Sequence, residues 1–209
     1  MTLEIASSLC SSQRRINQSF LNLMGRLRGA LLGLLLLPSV TGAGEVVKSS
    51  VALDSGIYSV DVLVRIEAPL EVVFQAITDY DRLTEINASI IESYIVETQG
   101  ADRYRVFTRV KFCVLFFCKQ IRQVQDIVEY GPALIKATIL PELSDFESGR
   151  ARWDLVVADN VTYMQFSTEV DPAFWVPPLV GTWLVEREMT KQVQETAMYI
   201  EQKVGTATN

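Results

Sequence analysis

The chain has 209 residues, 49% of them hydrophobic, with a formal net charge of −6 and no histidine. That length suits one domain with its own core plus an extension. Ser-His-Asp and Cys-His catalysis and any His-ligated metal site are excluded, and the acidic balance makes nucleic acid a poor partner.

Residues 1–43 read as a leader. Arg14, Arg15, Arg26 and Arg28 precede an apolar run at 30–37, and Pro38 and small residues lead to Ala43. A positive region, a short apolar region and a small-residue exit are the parts of a secretory signal peptide. The expected cut follows Ala43, which places the mature chain in the periplasm or outside the cell. The apolar run is shorter than the about 20 residues a bilayer span needs. Two other readings stay open: an amphipathic or disordered leader of a cytosolic protein, and a retained anchor. Cleavage would remove those arginines against Glu4 alone, leaving a still more acidic chain.

Residues 44–55 read as a loose linker, and the domain proper as 56–204. Tyr58, Val60, Val62, Val64 and Ile66 alternate with Ser59, Asp61, Arg65 and Glu67, the pattern of a half-buried strand. Ala68-Pro69 ends it, since proline is tolerated in a first helical turn. Leu70, Val73, Phe74 and Ile77 then recur at helical spacing, and a second short turn covers 81–87. Strands follow at 90–98, 103–112, 119–129 and 133–140, with turns at Gln99-Gly-Ala-Asp102 and Tyr130-Gly-Pro132. Pro141 opens a polar loop to Gly149. A hairpin of 150–158 and 161–170 turns at Asp159-Asn160, a pair that tolerates positive φ. Residues 171–178 lead into a long helix with an apolar stripe of Val185, Met189, Val193, Ala197 and Ile200. Glu186, Arg187, Glu188, Lys191, Gln192 and Glu195 are assigned to its water face, and 205–209 to a tail. The fold class is α+β: a curved antiparallel sheet wrapped around a long C-terminal helix, with space between them for an apolar ligand.

Cys113-Val-Leu-Phe-Phe-Cys118 sits where a hairpin should turn. Turns normally favour Gly, Asn, Asp, Ser and Pro. An apolar tip of Val114, Leu115, Phe116 and Phe117 therefore asks for a partner, as a lid or lipid-touching finger at a cavity mouth. The alternatives are a tip folded back onto the domain and a strand that runs on. Cys113 and Cys118 flank this loop as cross-strand partners within disulfide reach, and an oxidising envelope favours the bond. Two free buried thiols are the alternative.

Phe174 and Trp175, beside Pro177-Pro178, either cap the pocket or plug the core. Trp153, Met164, Phe166, Val185 and Met189 are the candidate cavity walls, with ordinary core packing as their alternative. Arg103, Arg105, Arg109 and Lys111 form a basic row on one strand face. The row either meets anionic headgroups in a transient membrane contact or is a solvated face balanced by Glu92, Glu97 and Asp126; the second reading is preferred. Glu142, Asp145 and Glu147 could form an acid–base pair, but nothing fixes their geometry, and no catalytic residue is assigned.

Val73-Phe-Gln-Ala-Ile-Thr-Asp-Tyr-Asp81, with Leu83-Thr-Glu-Ile-Asn87 and Ile90 after it, resembles the opening helix of the polyketide cyclase and coenzyme Q-binding START-like (SRPBCC) proteins. Ala68-Pro69, Val72 or Val73, Phe74, Ile77, Asp79 and Tyr80 carry the match. Leu83-Thr84-Glu85 replaces the aromatic–Pro step usual there, a departure from the quinone-binding branch. The resemblance implies a helix-grip fold that binds a hydrophobic small molecule, lipid or quinone-like, without a metal or covalent cofactor. It also leaves open a cyclase- or hydrolase-type enzyme using the same cavity, and an interaction module like the ribosome-association toxins.

Overall fold

A computed structural model of the chain describes residues 44–114, 116–177 and 181–207. The expected leader, residues 1–43, lies outside the described residues. Strands β1 (Glu45–Asp54) and β2 (Ile57–Ile66) are followed by helices α1 (Leu70–Thr78) and α2 (Leu83–Ile86). Strands β3 (Ile90–Thr98), β4 (Arg103–Val114), β5 (Phe117–Glu129), β6 (Leu134–Ile139), β7 (Phe146–Ala158) and β8 (Val161–Pro172) come next, then helix α3 (Thr182–Ala207). All eight strands form one antiparallel sheet in the order β1-β2-β8-β7-β6-β5-β4-β3. The chain thus returns from β8 to pair with β2, while α1 and α2 carry it from β2 to the far edge. Among the described residues no helix is long and apolar enough to cross a membrane.

The expected linker at 44–55 is instead a strand. Ser55 and Gly56 take φ of 52° and 93°, the two-residue turn that lets β1 fold back on β2. Pairing then runs from Asp54↔Ile57 to Glu45↔Arg65, with an irregularity between Val46 and Lys48. The missing period-two signal has a physical cause. β1 is an edge strand, held by the ladder bonds β2 offers, and only Val46 and Val51 pack against the main core. Gly44 is buried at the entry, with φ of 65°, and an added Cβ would stand 2.9 Å from the Gln194 carbonyl. Its N–H donates to Glu201 Oε2 at 2.9 Å, while Glu67 N–H donates to the other oxygen at 2.8 Å.

Two further boundaries differ from the expectation. The polar loop at 142–149 is a short 3-10 turn, Pro141–Leu143, followed directly by β7, because Phe146 is drawn into the core at 5% exposure. The tail at 205–209 is shortened, since α3 runs to Ala207.

The main core lies where β2, β7 and β8 meet α1 and the C-terminal half of α3. Val62, Val64, Ile66, Val73, Ala197 and Ile200 are essentially without solvent contact there. Pro69 precedes α1, and its carbonyl accepts from the Val73 N–H at 3.1 Å. Thr162 Oγ1, fully buried, donates to the Ala68 carbonyl at 2.7 Å and joins β8 to the start of α1.

Candidate functional site

The other half of the molecule is hollow. A cavity of ≈ 340 Å³ lies between the inner face of the sheet and the N-terminal half of α3. Its walls follow from strand phase. On β4, Val106, Thr108, Val110 and Phe112 point inward and line it. The alternate residues point outward, and two of them are paired: Arg105 with Asp126 at 2.7 Å and with Glu97 at 3.3 Å, and Arg109 with Glu92 at 3.1 Å. Two of the four cations in the basic row, Arg105 and Arg109, are thus paired on the outer face with the carboxylates named from the sequence.

Trp153, Met164, Phe166, Val185 and Met189 all border the cavity. The Trp153 and Phe166 rings lie 5.1 Å apart and form one wall, while Met164 is 3% exposed and belongs to the main core as well. At the other end Phe117 and Phe174 line the space. Phe174 meets the Phe146 ring edge-on at 6.2 Å, and the Lys119 ammonium sits 4.5 Å from its centroid. Phe116 and Trp175 do not form wall. They stand 82% and 73% exposed. Leu115 and the side chain of Val114 lie outside the described residues.

The hairpin tip is tighter than a four-residue loop. Val114 pairs with Phe117, so the ladder runs to that pair and Phe117 is strand rather than tip. Phe117 packs with Tyr58, Leu184 and Val185, which is why the strand runs on. Cys113 and Cys118 face each other directly, with Cα atoms 4.1 Å apart, and are joined as a disulfide.

The structure adds residues that sequence reasoning passed over. Asn87, Thr108, Gln123, Gln125, Gln192 and Thr196 line the cavity as polar groups. Gln192, assigned to the water face of α3, is buried at 7% exposure. It stands three residues from Met189, hence on the apolar stripe, and the helical period outranks its polar side chain. Tyr80, 4% exposed, also borders the cavity and donates from its hydroxyl to Glu129 Oε1 at 2.7 Å. Burial, then the bond to Glu129, pushes the Tyr80 phenol far above its usual range. Burial raises the Glu129 carboxyl too, against the lowering effect of the Tyr80 bond.

Of the carboxylates near Pro141, Asp145 is occupied. Burial would raise its pKa, but the Arg122 backbone N–H at 2.9 Å and guanidinium at 3.0 Å outweigh burial and hold it below the ordinary value. It ties the segment to β5 and is not a free acid or base.

The family model described as polyketide cyclase / dehydrase and lipid transport matches residues 58–201, well over half the chain. The chain belongs to this family. Solved structures agree on the fold. A START superfamily protein from Mycobacterium smegmatis superposes with a TM-score of 0.55 at 15% identity, covering 71% of this chain and 98% of its own. An aromatase/cyclase from Streptomyces gives 0.57 at 14% identity, covering 73% and 96%. A STAR-related lipid transfer protein from Xanthomonas axonopodis gives 0.55 at 12% identity, covering 75% and 98%. No curated protein matches the chain. The family's helix-grip fold is therefore present, with a cavity suited to a hydrophobic ligand.

Proposed function

We propose that this family member binds and carries a hydrophobic small molecule, a lipid or quinone-like compound, in the cell envelope. The ≈ 340 Å³ cavity between sheet and helix carries the reading. Its walls are mostly apolar, so binding gains come from removing ligand surface from water, about 25 cal/mol per Å². The protein then needs no chemistry on the ligand, only a sheltered volume and a way in.

Entry lies at the Phe117 end. Phe116, Trp175 and Trp183 are 82%, 73% and 62% exposed. Each is the chain neighbour of a residue in one packed cluster, which holds Phe117, Val176 and Leu184. Phe117 and Val176 also line the cavity, so Phe116 and Trp175 directly adjoin residues at one end of it. Aromatic rings of this kind favour the headgroup region of a bilayer, and a transient membrane contact there would let an apolar molecule pass without crossing water.

The envelope location rests on the signal-like leader and gains support from two features. The Cys113–Cys118 disulfide suits an oxidising compartment. Cleavage after Ala43 would turn the Gly44 nitrogen, 2.9 Å from Glu201 Oε2, into an ammonium facing a carboxylate.

The second reading is a cyclase- or hydrolase-type enzyme in the same cavity, favoured by the polar wall groups around Gln123. Expression in an enveloped bacterium, with fractionation, N-terminal sequencing and native mass spectrometry, tests both. A mature chain starting at Gly44 with one extractable apolar molecule is expected. A cytosolic chain would refute the location, and a chain that neither yields a ligand nor takes up a neutral apolar fluorophore would refute the carrier. Chemical turnover of the bound molecule would favour the enzyme.

A further inference from the structure

Among the described residues four polar side chains are buried, and three of them line the cavity: Thr108, Gln192 and Thr196, at 7%, 7% and 8% exposure. They do not stand alone. Thr108 is the register partner of Gln123 on β5, and its Oγ1 donates to Gln123 Oε1 at 3.5 Å. Gln125, the next inward residue, donates from Nε2 to the same oxygen at 3.2 Å. On the helix side, Asn87 Nδ2 donates to Thr196 Oγ1 at 3.4 Å, and Gln192 Nε2 donates to Glu188 Oε1 at 3.3 Å. An uncharged belt thus interrupts the apolar walls on both sides of one cavity.

The belt's internal bonds are long, and a primary amide has two donors and an acceptor oxygen with two lone pairs. Those bonds engage the oxygen of Gln123 and one hydrogen of Gln125, which leaves the Gln123 amide N–H groups and the Gln125 oxygen for a guest. Groups of this kind buried against a plain hydrocarbon would be left unsatisfied, the costlier arrangement. Charge is equally unsuited. Among the described residues no carboxylate and no lysine lines the cavity. The one guanidinium that does, Arg150, has its side chain 72% exposed and paired outward with Glu169. A carboxylate or ammonium carried inside would have no counter-ion.

Resting on the carrier reading, we propose that the cavity selects a compact amphiphile whose buried part bears a neutral oxygen function, a hydroxyl, ketone or ester, held by Gln123 and Gln125 on the sheet and Gln192 on the helix. The volume, ≈ 340 Å³, is at the small end for ligand pockets and suits one ring system or single chain. The belt rejects bare hydrocarbons through unsatisfied amides and fatty acids or amines through unpaired charge.

The test loads the full-length chain with the neutral fluorophore N-phenyl-1-naphthylamine and displaces it with a chain-matched alkane, alcohol, methyl ketone, carboxylate and amine. The alcohol and ketone are expected to displace it at concentrations about tenfold lower than the other members. In Gln123→Leu/Gln125→Leu that preference should vanish while probe affinity stays within about threefold. Gln192→Leu should weaken the preference by itself, and the wild-type series is decisive whether or not the double variant folds. If the probe binds but the alkane or the carboxylate competes as well as the alcohol, the proposed selectivity is wrong and the carrier stands. If the probe does not bind and the chain yields no extractable ligand, the carrier reading fails, and this proposal with it.

Discussion

Helix α3 crosses two different interiors. Its C-terminal half presents Ala197 and Ile200 to β2, β8 and α1, and that interface is filled, while Val193 stands at the junction, in the core and at the cavity edge. Its N-terminal half presents Val185, Met189 and Gln192 to the β4–β6 arm, and there the cavity remains. The difference lies in what covers the sheet. At the filled end Val62, Val64 and Ile66 of β2 and Val73 of α1 pack against the helix. At the other end the sheet curls away and Trp153, Phe166, Phe117 and Phe174 line the gap rather than close it. Stability and binding are thus assigned to opposite ends of one helix, and substitutions at the two ends should behave differently.

Ile200→Ala, at 0% exposure in the filled end, should show the largest effect, a loss of about 2–5 kcal/mol in denaturant unfolding. A loss under about 1 kcal/mol would mean that end is not solidly packed. Breaking the Cys113–Cys118 bond with paired serines should cost about 2 kcal/mol, the entropy of closing so short a loop. Local hydrogen exchange at the β4–β5 tip should rise while exchange around Ile66 does not, because the bond clamps only the hollow end.

Ala151→Phe fills space at the cavity wall. Thermal unfolding should change by less than about 1 kcal/mol, below the usual cost of overpacking a dense core, while uptake of an apolar fluorophore falls about tenfold. An equal loss of stability at this site and in the filled end would abolish the distinction drawn here.

The smallest effects are those of pH. Asp145 is held below its ordinary value. Its contribution is therefore complete above the unfolded-state pKa of about 4 and lost as pH falls through the folded value. Asp145→Asn should reduce stability at neutral pH and flatten its acid loss. Glu129 is raised, so its contribution is complete below the unfolded pKa and lost as pH rises through the folded value. Glu129→Gln, which keeps an acceptor for Tyr80, should match wild type in acid and exceed it slightly at neutral pH. Unfolding midpoints measured across this range check both signs.

Much of the fold was legible because burial repeats with the backbone. Tyr58 to Ile66 alternate in the sequence and pack inward in the structure. The Asp159-Asn160 turn has φ of 53° and 62°, as a tight hairpin requires. The polar wall was also in phase: Thr108 shares the inward positions of Val106 and Val110, and Gln123 and Gln125 those of Ile121 and Ile127. Residue type hid what position revealed. β1 was illegible for the opposite reason, since an edge strand gains its bonds from a neighbour and needs no pattern of its own.

By itself the sequence determined the element order from β2 onward, the apolar stripe of α3 and the membership of a helix-grip family, because these depend on local period and near neighbours. Only the tertiary structure decided that one end of the helix is filled and the other hollow, and that Gln123, Gln125 and Gln192 border one space. Those facts depend on how far the sheet curls from the helix, a balance of side-chain volumes contributed by strands distant along the chain.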